Sequence, residues 1–474
     1  MRQSILCLLV ILFTVASVEA KVKYPGSKTY AYRYYLNNKQ GGKYTLDKPS
    51  RFLSSKSLER RKRQGLQIDS TDLPIPENII SRFRVKGAQV LGTSRWNNTI
   101  LVSSTDSTLL KLLAQLPCVK EARMVFQSPD SLDEPYSAIR PRFHDQFNRW
   151  DTLRGDPMGM SRTQIEMLGG DRLHDLNLRG KDITIAILDG GFQNADRLQC
   201  FANTRIVGEH DFVSPATEER LYGGIDHGTK VFSVLAAEAP EVMIGTAPDA
   251  NYWLLRCEDC YTEMPIEEDY WTMAAEFADS VGVDIINSSL GYNEYDNRMG
   301  SYHIKDLDGQ TAMISHSASL LAQKGIILCN SAGNSGMGSW KKITVPADAF
   351  DIITVGAINQ EGMNAPFSSI GPTQDGRVKP DVVALGSGTT LISGRGTLIH
   401  DMGTSFSTPI VCGLVACLWQ SLREKTALEI IKLVRESSSQ YETPDNIFGY
   451  GLPDFWKAYT TGKGDGKRKS KSEN

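Results

Sequence analysis

An excess of positive charge is the first thing missing. Lys and Arg number 52 against 55 Asp and Glu, a formal net charge of −3 over 474 residues. A chain without a basic surface does not gather phosphates, so nucleic acid is excluded as a partner. Cysteine is sparse and irregular, eight residues with no disulfide framework in their spacing. The one close pair, Cys257 and Cys260 in RCEDC, has no second CxxC or paired His to complete a zinc site, which leaves a local disulfide or two thiols. Cys412 and Cys417 fall in an apolar helical pattern and read as core residues. No internal repeat is present, and no Asp-rich loop offers itself as a calcium site. After the N-terminus no apolar run is long enough to cross a bilayer, so stable membrane insertion is not expected.

What is present begins with MRQSILCLLVILFTVASVEA, a basic start, an apolar stretch from Ile5 to Val15, and small residues at Val18 and Ala20. This predicts a secretory signal over residues 1–20, cut after Ala20, and a product that is periplasmic or extracellular. Cys7 lies inside the apolar stretch rather than after it, which argues against a lipid anchor. A hydrophobic content of 41% is ample for two or three cores in the remainder.

The texture changes along the chain. Residues 21–127 mix strand-like TYAYRYYL, a basic helical stretch FLSSKSLERRKRQGLQ, a strand, turn and strand around Asn97 and Asn98, a helix over 105–116 and a strand over 119–125, a small α+β region. Arg60 to Arg63 read as a solvated helix face, with a processing site as the rival. Residues 128–160 are polar and unpatterned, a linker. Over 161–460 short apolar runs at 182–189, 251–256, 283–291, 325–334 and 351–357 alternate with helical patterns at 227–238, 267–281 and 311–323. That alternation predicts an α/β fold, a doubly wound and mostly parallel sheet with helices on both faces, whose functional residues gather at the strands' carboxyl ends. Residues 461–474 read as a basic disordered tail.

The chemistry sits in four places. GTSFSTP puts Ser405 at a loop-to-helix junction, with Pro409 read as a first-turn proline. Free N–H groups and the helix dipole there suit a nucleophilic serine, although a capping serine fits too. ITIAILDGG ends a strand on Asp189, which alone could be a turn former. DHGT opens a helix on His227, which alone could be structural, and CNSAGN places Asn334 in a loop after a buried strand, which alone could be a left-handed turn residue. Together they fit one machine: Ser405 attacks a carbonyl, His227 carries the proton, Asp189 fixes the imidazole, and Asn334 with the Ser405 N–H receives the oxyanion.

Asp, His and Ser in that order, with DGG, HGT, AGN and GTSFSTP at the sites, resemble the subtilisin-like serine proteases from about residue 161 to 457. The resemblance implies a secreted serine endopeptidase made as a zymogen and acting on polypeptides. It implies that Ser289, Leu290 and Gly291 pair with an extended substrate, and that Ala332 and Gly333 line the primary specificity pocket. Catalysis would need no metal or other cofactor, while structural calcium is common in the family and has no assigned ligands here. The 21–127 region is similar to the family's propeptides, intramolecular inhibitors and folding aids, with a cut expected between Val125 and Ser161. Gly190 departs from the pattern, since Ser or Thr usually stands there. Ser407, a rival nucleophile, would be a first-turn helix residue. A peptide acyl transferase on the same triad, or a silent peptide-binding homologue, are the alternatives.

Overall fold

The computed structural model describes residues 21–22, 28–130, 132–133, 152–213 and 218–472. The expected signal, and most of the stretch in which a cut is expected, lie outside the described residues.

The first body is a four-stranded antiparallel sheet with three α-helices among the described residues, the shortest being Glu77–Ile80. In chain order it runs β1 (Tyr30–Leu36), α1 (Ser55–Arg63), β2 (Ala88–Ser94), β3 (Thr99–Ser104), α2 (Ser107–Leu113) and β4 (Val119–Gln127), with strand order β2–β3–β1–β4. This is the β-α-β-β-α-β arrangement of a split βαβ unit. Tyr34, Phe83, Ile100, Val102, Leu110 and Leu113 form its own core. Residues of the opposite face, among them Ala31, Leu101 and Val125, belong instead to a core shared with the second body.

The second body holds seven parallel strands: β5 (Thr184–Asp189), β6 (Arg205–Asp211), β7 (Asn251–Arg256), β8 (Ile285–Ser288), β9 (Ile327–Ser331), β10 (Ile353–Ile358) and β11 (Val382–Leu385). Their order is β11–β10–β9–β8–β5–β7–β6. Every residue of β5, β8, β9, β10 and β11 is buried, as continuous apolar runs become when helices cover both faces. Along β5 the side chains alternate between two cores. Ile185 and Ile187 join one with α3 (His227–Ala236), α6 (Thr404–Ser421) and α7 (Ala427–Ser437); Ala186 and Leu188 join another with α4 (Ile266–Val281) and α5 (Met313–Leu320). The chain leaves β5 to one side for β6 and β7, then crosses to β8 on the other, so the winding reverses at β5 and a crevice opens at its carboxyl end. A hairpin, β12 (Ser387–Ile392) with β13 (Leu398–Met402), leads into α6.

Several expectations are corrected. Arg60 and Arg61 are 1% exposed, so they form neither a solvated face nor an accessible processing site. They are held by carboxylates, Arg60 by Asp279 and Arg61 by Asp72 and Asp279. The second body claims the chain before residue 161: Leu153 N–H donates to Glu241 O at 2.7 Å and Met160 N–H to Val242 O at 2.8 Å. The expected tail is helical to Ser472, within α8 (Phe455–Ser472). Phe455 and Ala458 anchor the start of that helix in the core, and propagation from an anchored turn is cheap. Finally, α6 opens at Thr404, so Pro409 is its sixth residue rather than a first-turn one.

The small sheet docks on α4 through charge. Asp269, Glu276 and Asp279 share one helix face by their spacing. Arg33 grips Asp269 with Nε to Oδ1 at 2.8 Å and Nη2 to Oδ2 at 2.6 Å. Glu276 accepts from Ser94 Oγ at 2.5 Å and from the N–H groups of Arg95 and Trp96 at 3.0 Å. Asp279, fully buried, receives Arg60, Arg61 and Arg95.

Candidate active site

Asp189 ends β5 at the crevice and is completely buried, and its Oδ1 accepts from Gly190 N–H at 2.8 Å. His227 is the first residue of α3 and turns Nδ1 to that carboxylate, 2.9 Å from Oδ1 and 3.0 Å from Oδ2. The DGG and HGT motifs are what bring them together. Gly228 N–H donates to Gly191 O at 2.9 Å, and a Cβ on Gly228 would stand 2.5 Å from that oxygen, so only glycine lets the two segments touch. Thr229 Oγ1 adds a bond to Gln193 O at 2.8 Å.

Ser405 is the second residue of α6, where its own N–H has no intrahelical acceptor. In a regular helix its carbonyl would accept from residue 409, but Pro409 has no N–H. Ser289 supplies the missing donor, Oγ to Ser405 O at 2.9 Å, while Ser405 Oγ donates to Ser289 O at 3.2 Å. The reciprocal pair ties the helix start to the end of β8. The serine hydroxyl thus rests on Ser289 rather than on His227, whose ring lies 5.8 Å from that of Phe406.

Asn334 is exposed on the loop after β9. Its Oδ1 accepts from Thr404 N–H at 2.9 Å and Thr404 Oγ1 at 3.0 Å, which uses the amide oxygen and leaves Nδ2 to donate. Gly333 N–H donates to Thr404 Oγ1 at 3.3 Å. Leu290 and Ala332 are buried, and Leu290 O accepts from Asn330 Nδ2 and Ser331 Oγ, both at 3.3 Å. The Ser289–Gly291 segment therefore runs beside the start of the loop carrying Ala332 and Gly333, with Ser405 and Thr404 bonded to the two segments. Ser407, by contrast, is fully buried and donates to Thr404 O at 3.0 Å, which removes it as a nucleophile.

Burial disfavours a charged His227, but Asp189 outweighs it by charge and hydrogen bond, with help from Glu258, and the pKa is pushed up to about 9. Glu258 is a residue that motif reading passed over. A Cβ on Gly190 would stand 2.6 Å from Glu258 Oε2, so the glycine that departs from the usual pattern makes room for this carboxylate. Burial and the charge of Asp189 raise its pKa to about 7. The structural partners Ser289 and Thr404 were also not singled out for these bonds; a proline four residues after the serine was the available signal.

An Asp–His pair thus stands at the switch point of a doubly wound parallel sheet, near a serine on the first turn of a helix. The chain belongs to the subtilase family, peptidase S8, whose profile matches residues 180–451. Residues 31–138 match a peptidase S8 propeptide domain of Bacteroidota. Among relatives, the chain is 30% identical over 281 residues to subtilisin-like protease SBT6.1 of Arabidopsis thaliana, covering 57% of this chain and 24% of that protein. It is 28% identical over 306 residues to serine protease AprX of Bacillus subtilis (58% and 65%). It is 27% identical over 291 residues to subtilisin NAT of Bacillus subtilis subsp. natto (61% and 68%).

Proposed function

We propose that this protein is an exported serine endopeptidase made as a zymogen, with Asp189, His227 and Ser405 as its triad. The observation that carries the reading is the bonded Asp189–His227 pair at the crevice, next to a serine whose own N–H is free. Ser405 Oγ leaves Ser289 O, turns to His227 and attacks the scissile carbonyl. The Oγ–C bond forms, the proton passes to His227 Nε2, and the oxyanion is held by the Ser405 N–H and Asn334 Nδ2. Collapse breaks the C–N bond as His227 protonates the leaving amine, and water then repeats the sequence on the acyl-enzyme. The substrate is a polypeptide laid in extended form along Ser289–Gly291, held by main-chain hydrogen bonds, with Ala332 and Gly333 on the far wall. The small domain acts as intramolecular inhibitor and folding aid, a role supported by its match to the propeptide profile and by its docking on α4. Among the described residues no helix is long and apolar enough to cross a membrane.

Intact mass and N-terminal sequencing of wild type and Ser405→Ala, both expressed with export, test the reading. Wild type is expected to lose the small domain and Ser405→Ala to stay whole. If neither is cut and wild type fails to react with a fluorophosphonate, the peptidase reading falls.

A further inference from the structure

Between the end of β7 and the first turn of α4 the chain runs Glu258 to Glu267, and three glutamates on it converge. One carboxylate oxygen from each of Glu258, Glu263 and Glu267 lies within 4.8 Å of the other two. That separation is what oxygens reach across an ion bound at about 2.3–2.6 Å. Glu267 is fully buried; its Oε1 accepts from Asp259 N–H at 2.9 Å, and its Oε2 has no hydrogen-bond partner. A second group points to the same place. Tyr292, 1% exposed, has a hydroxyl without a partner, and Glu267, Glu258 and Glu263 are, with Cys257, its electrostatic neighbours. Among the described residues, His227 and Arg256 favour the charged form of Glu258, but Arg256 is already engaged with both oxygens of Asp211 at 3.0 Å and with Gly190 O at 2.9 Å. A buried carboxylate oxygen without a partner, beside two half-buried carboxylates, is unfavourable unless protons or a cation neutralise the group.

We propose that Glu258, Glu263 and Glu267 bind a hard divalent cation, calcium foremost, on the flank of the Asp189–His227 pair. Three carboxylates provide hard oxygen donors, with the Tyr292 hydroxyl and water available to complete the shell. The ion would clamp the loop after β7 to the start of α4. Glu258 is the member against Gly190, so the same clamp would fix the main chain beside the catalytic aspartate. A basic substrate side chain is the competing occupant; the complete burial of Glu267 and the ion-like spacing favour the metal.

The site does not depend on the peptidase reading, and its test uses the full chain with Ser405→Ala so that self-cleavage plays no part. Protein stripped with chelator is titrated with calcium chloride by calorimetry, and its melting temperature is recorded with and without the ion. One calcium equivalent and a rise in melting temperature are expected. Adding Glu267→Gln or Glu263→Gln should abolish that equivalent or weaken it at least tenfold. Should Glu267→Gln fail to fold, the partly exposed Glu258→Gln makes the same comparison. Calcium binding and stabilisation equal in parent and variants, or absent from the parent, overturns the proposal. Loss in Glu258→Gln of a preference for Lys or Arg beside the scissile bond, with calcium silent, would assign the pocket to substrate and overturn it as well.

Discussion

Replacing Ser289 by Ala should loosen the first turn of α6, and replacing Pro409 by Ala should tighten it again. The carbonyl of Ser405 lacks its helical donor because residue 409 is proline, and the Ser289 hydroxyl takes over at 2.9 Å. Ser289 and Ser405 are 5% and 7% exposed, so water is a poor substitute. Leaving a buried carbonyl unsatisfied costs about 1–3 kcal/mol. Pro409→Ala restores an N–H four residues on, at the expense of a freer unfolded chain, roughly 0.4–1 kcal/mol. Alone it should therefore be close to neutral or mildly destabilising. On top of Ser289→Ala it should recover about 1 kcal/mol or more, because its N–H then meets a vacant acceptor. The cycle is run in Ser405→Ala, which keeps the main-chain carbonyl and prevents self-cleavage, by guanidinium unfolding followed by tryptophan fluorescence. Effects that add within about 0.5 kcal/mol would refute the reasoning, since two donors competing for one acceptor must couple.

The acid limb of kcat/KM should lie well above the ordinary histidine range, toward about 9, because in the proposed mechanism His227 must lose its proton to act as a base. Asp189→Asn should move the limb down and lower the rate; an unmoved limb in the pH profile would detach it from this pair. The same shift makes a stability statement with the opposite sense. A raised folded-state pKa stabilises below the unfolded value of about 6.5 and is lost as pH rises through about 9, which melting curves against pH would show. Asp279→Asn strips the carboxylate from beneath Arg60, Arg61 and Arg95, and breaking a buried pair costs about 3–5 kcal/mol. Hydrogen exchange should accelerate in β1 and β3 of the Ser405→Ala protein, and unchanged protection would show the small sheet to be held by other contacts. Gly190→Ser should destabilise by about 1–3 kcal/mol through overpacking, since its Cβ would meet Glu258 Oε2 at 2.6 Å and Ile225 Cδ1 at 2.8 Å. Glu258→Ala in the same chain should recover part of the loss in melting temperature.

The buried strands were legible because a parallel sheet covered on both faces needs unbroken apolar runs, and the run 251–256 coincides with β7. The strand at the sheet edge was not. β6, RIVGEHD, is largely exposed and carries too little apolar pattern to declare itself. Pro409 misled by a different route: helices tolerate an internal proline when another donor takes the orphaned carbonyl, and nothing local in GTSFSTP announces a donor 116 residues upstream. The same limit hid the docking of the small sheet. The run ERRKR looks like a solvated surface until a partner places carboxylate against guanidinium. Asp189, His227 and Asn334 were legible because close packing demands glycine near them: a Cβ on Gly191, Gly228 or Gly333 would stand 2.9, 2.5 or 2.8 Å from a neighbouring atom. Ser289 and Thr404, which act through contact made only in the fold, had no comparable local signature.

Loss of the small sheet, as proposed, poses a problem for the surface it leaves behind. Had the small sheet adhered to α4 chiefly through grease, its proposed departure would strand a sticky patch on the second body. Here much of the adhesion is ionic. Asp269, Glu276 and Asp279, dry while the sheet is in place, are the residues that an ordinary water-facing helix would carry. Hydration of those carboxylates would accompany separation and oppose the return of the sheet. Such a face suits both states of the proposed zymogen, an interior while the sheet is docked and an acceptable exterior once it has left.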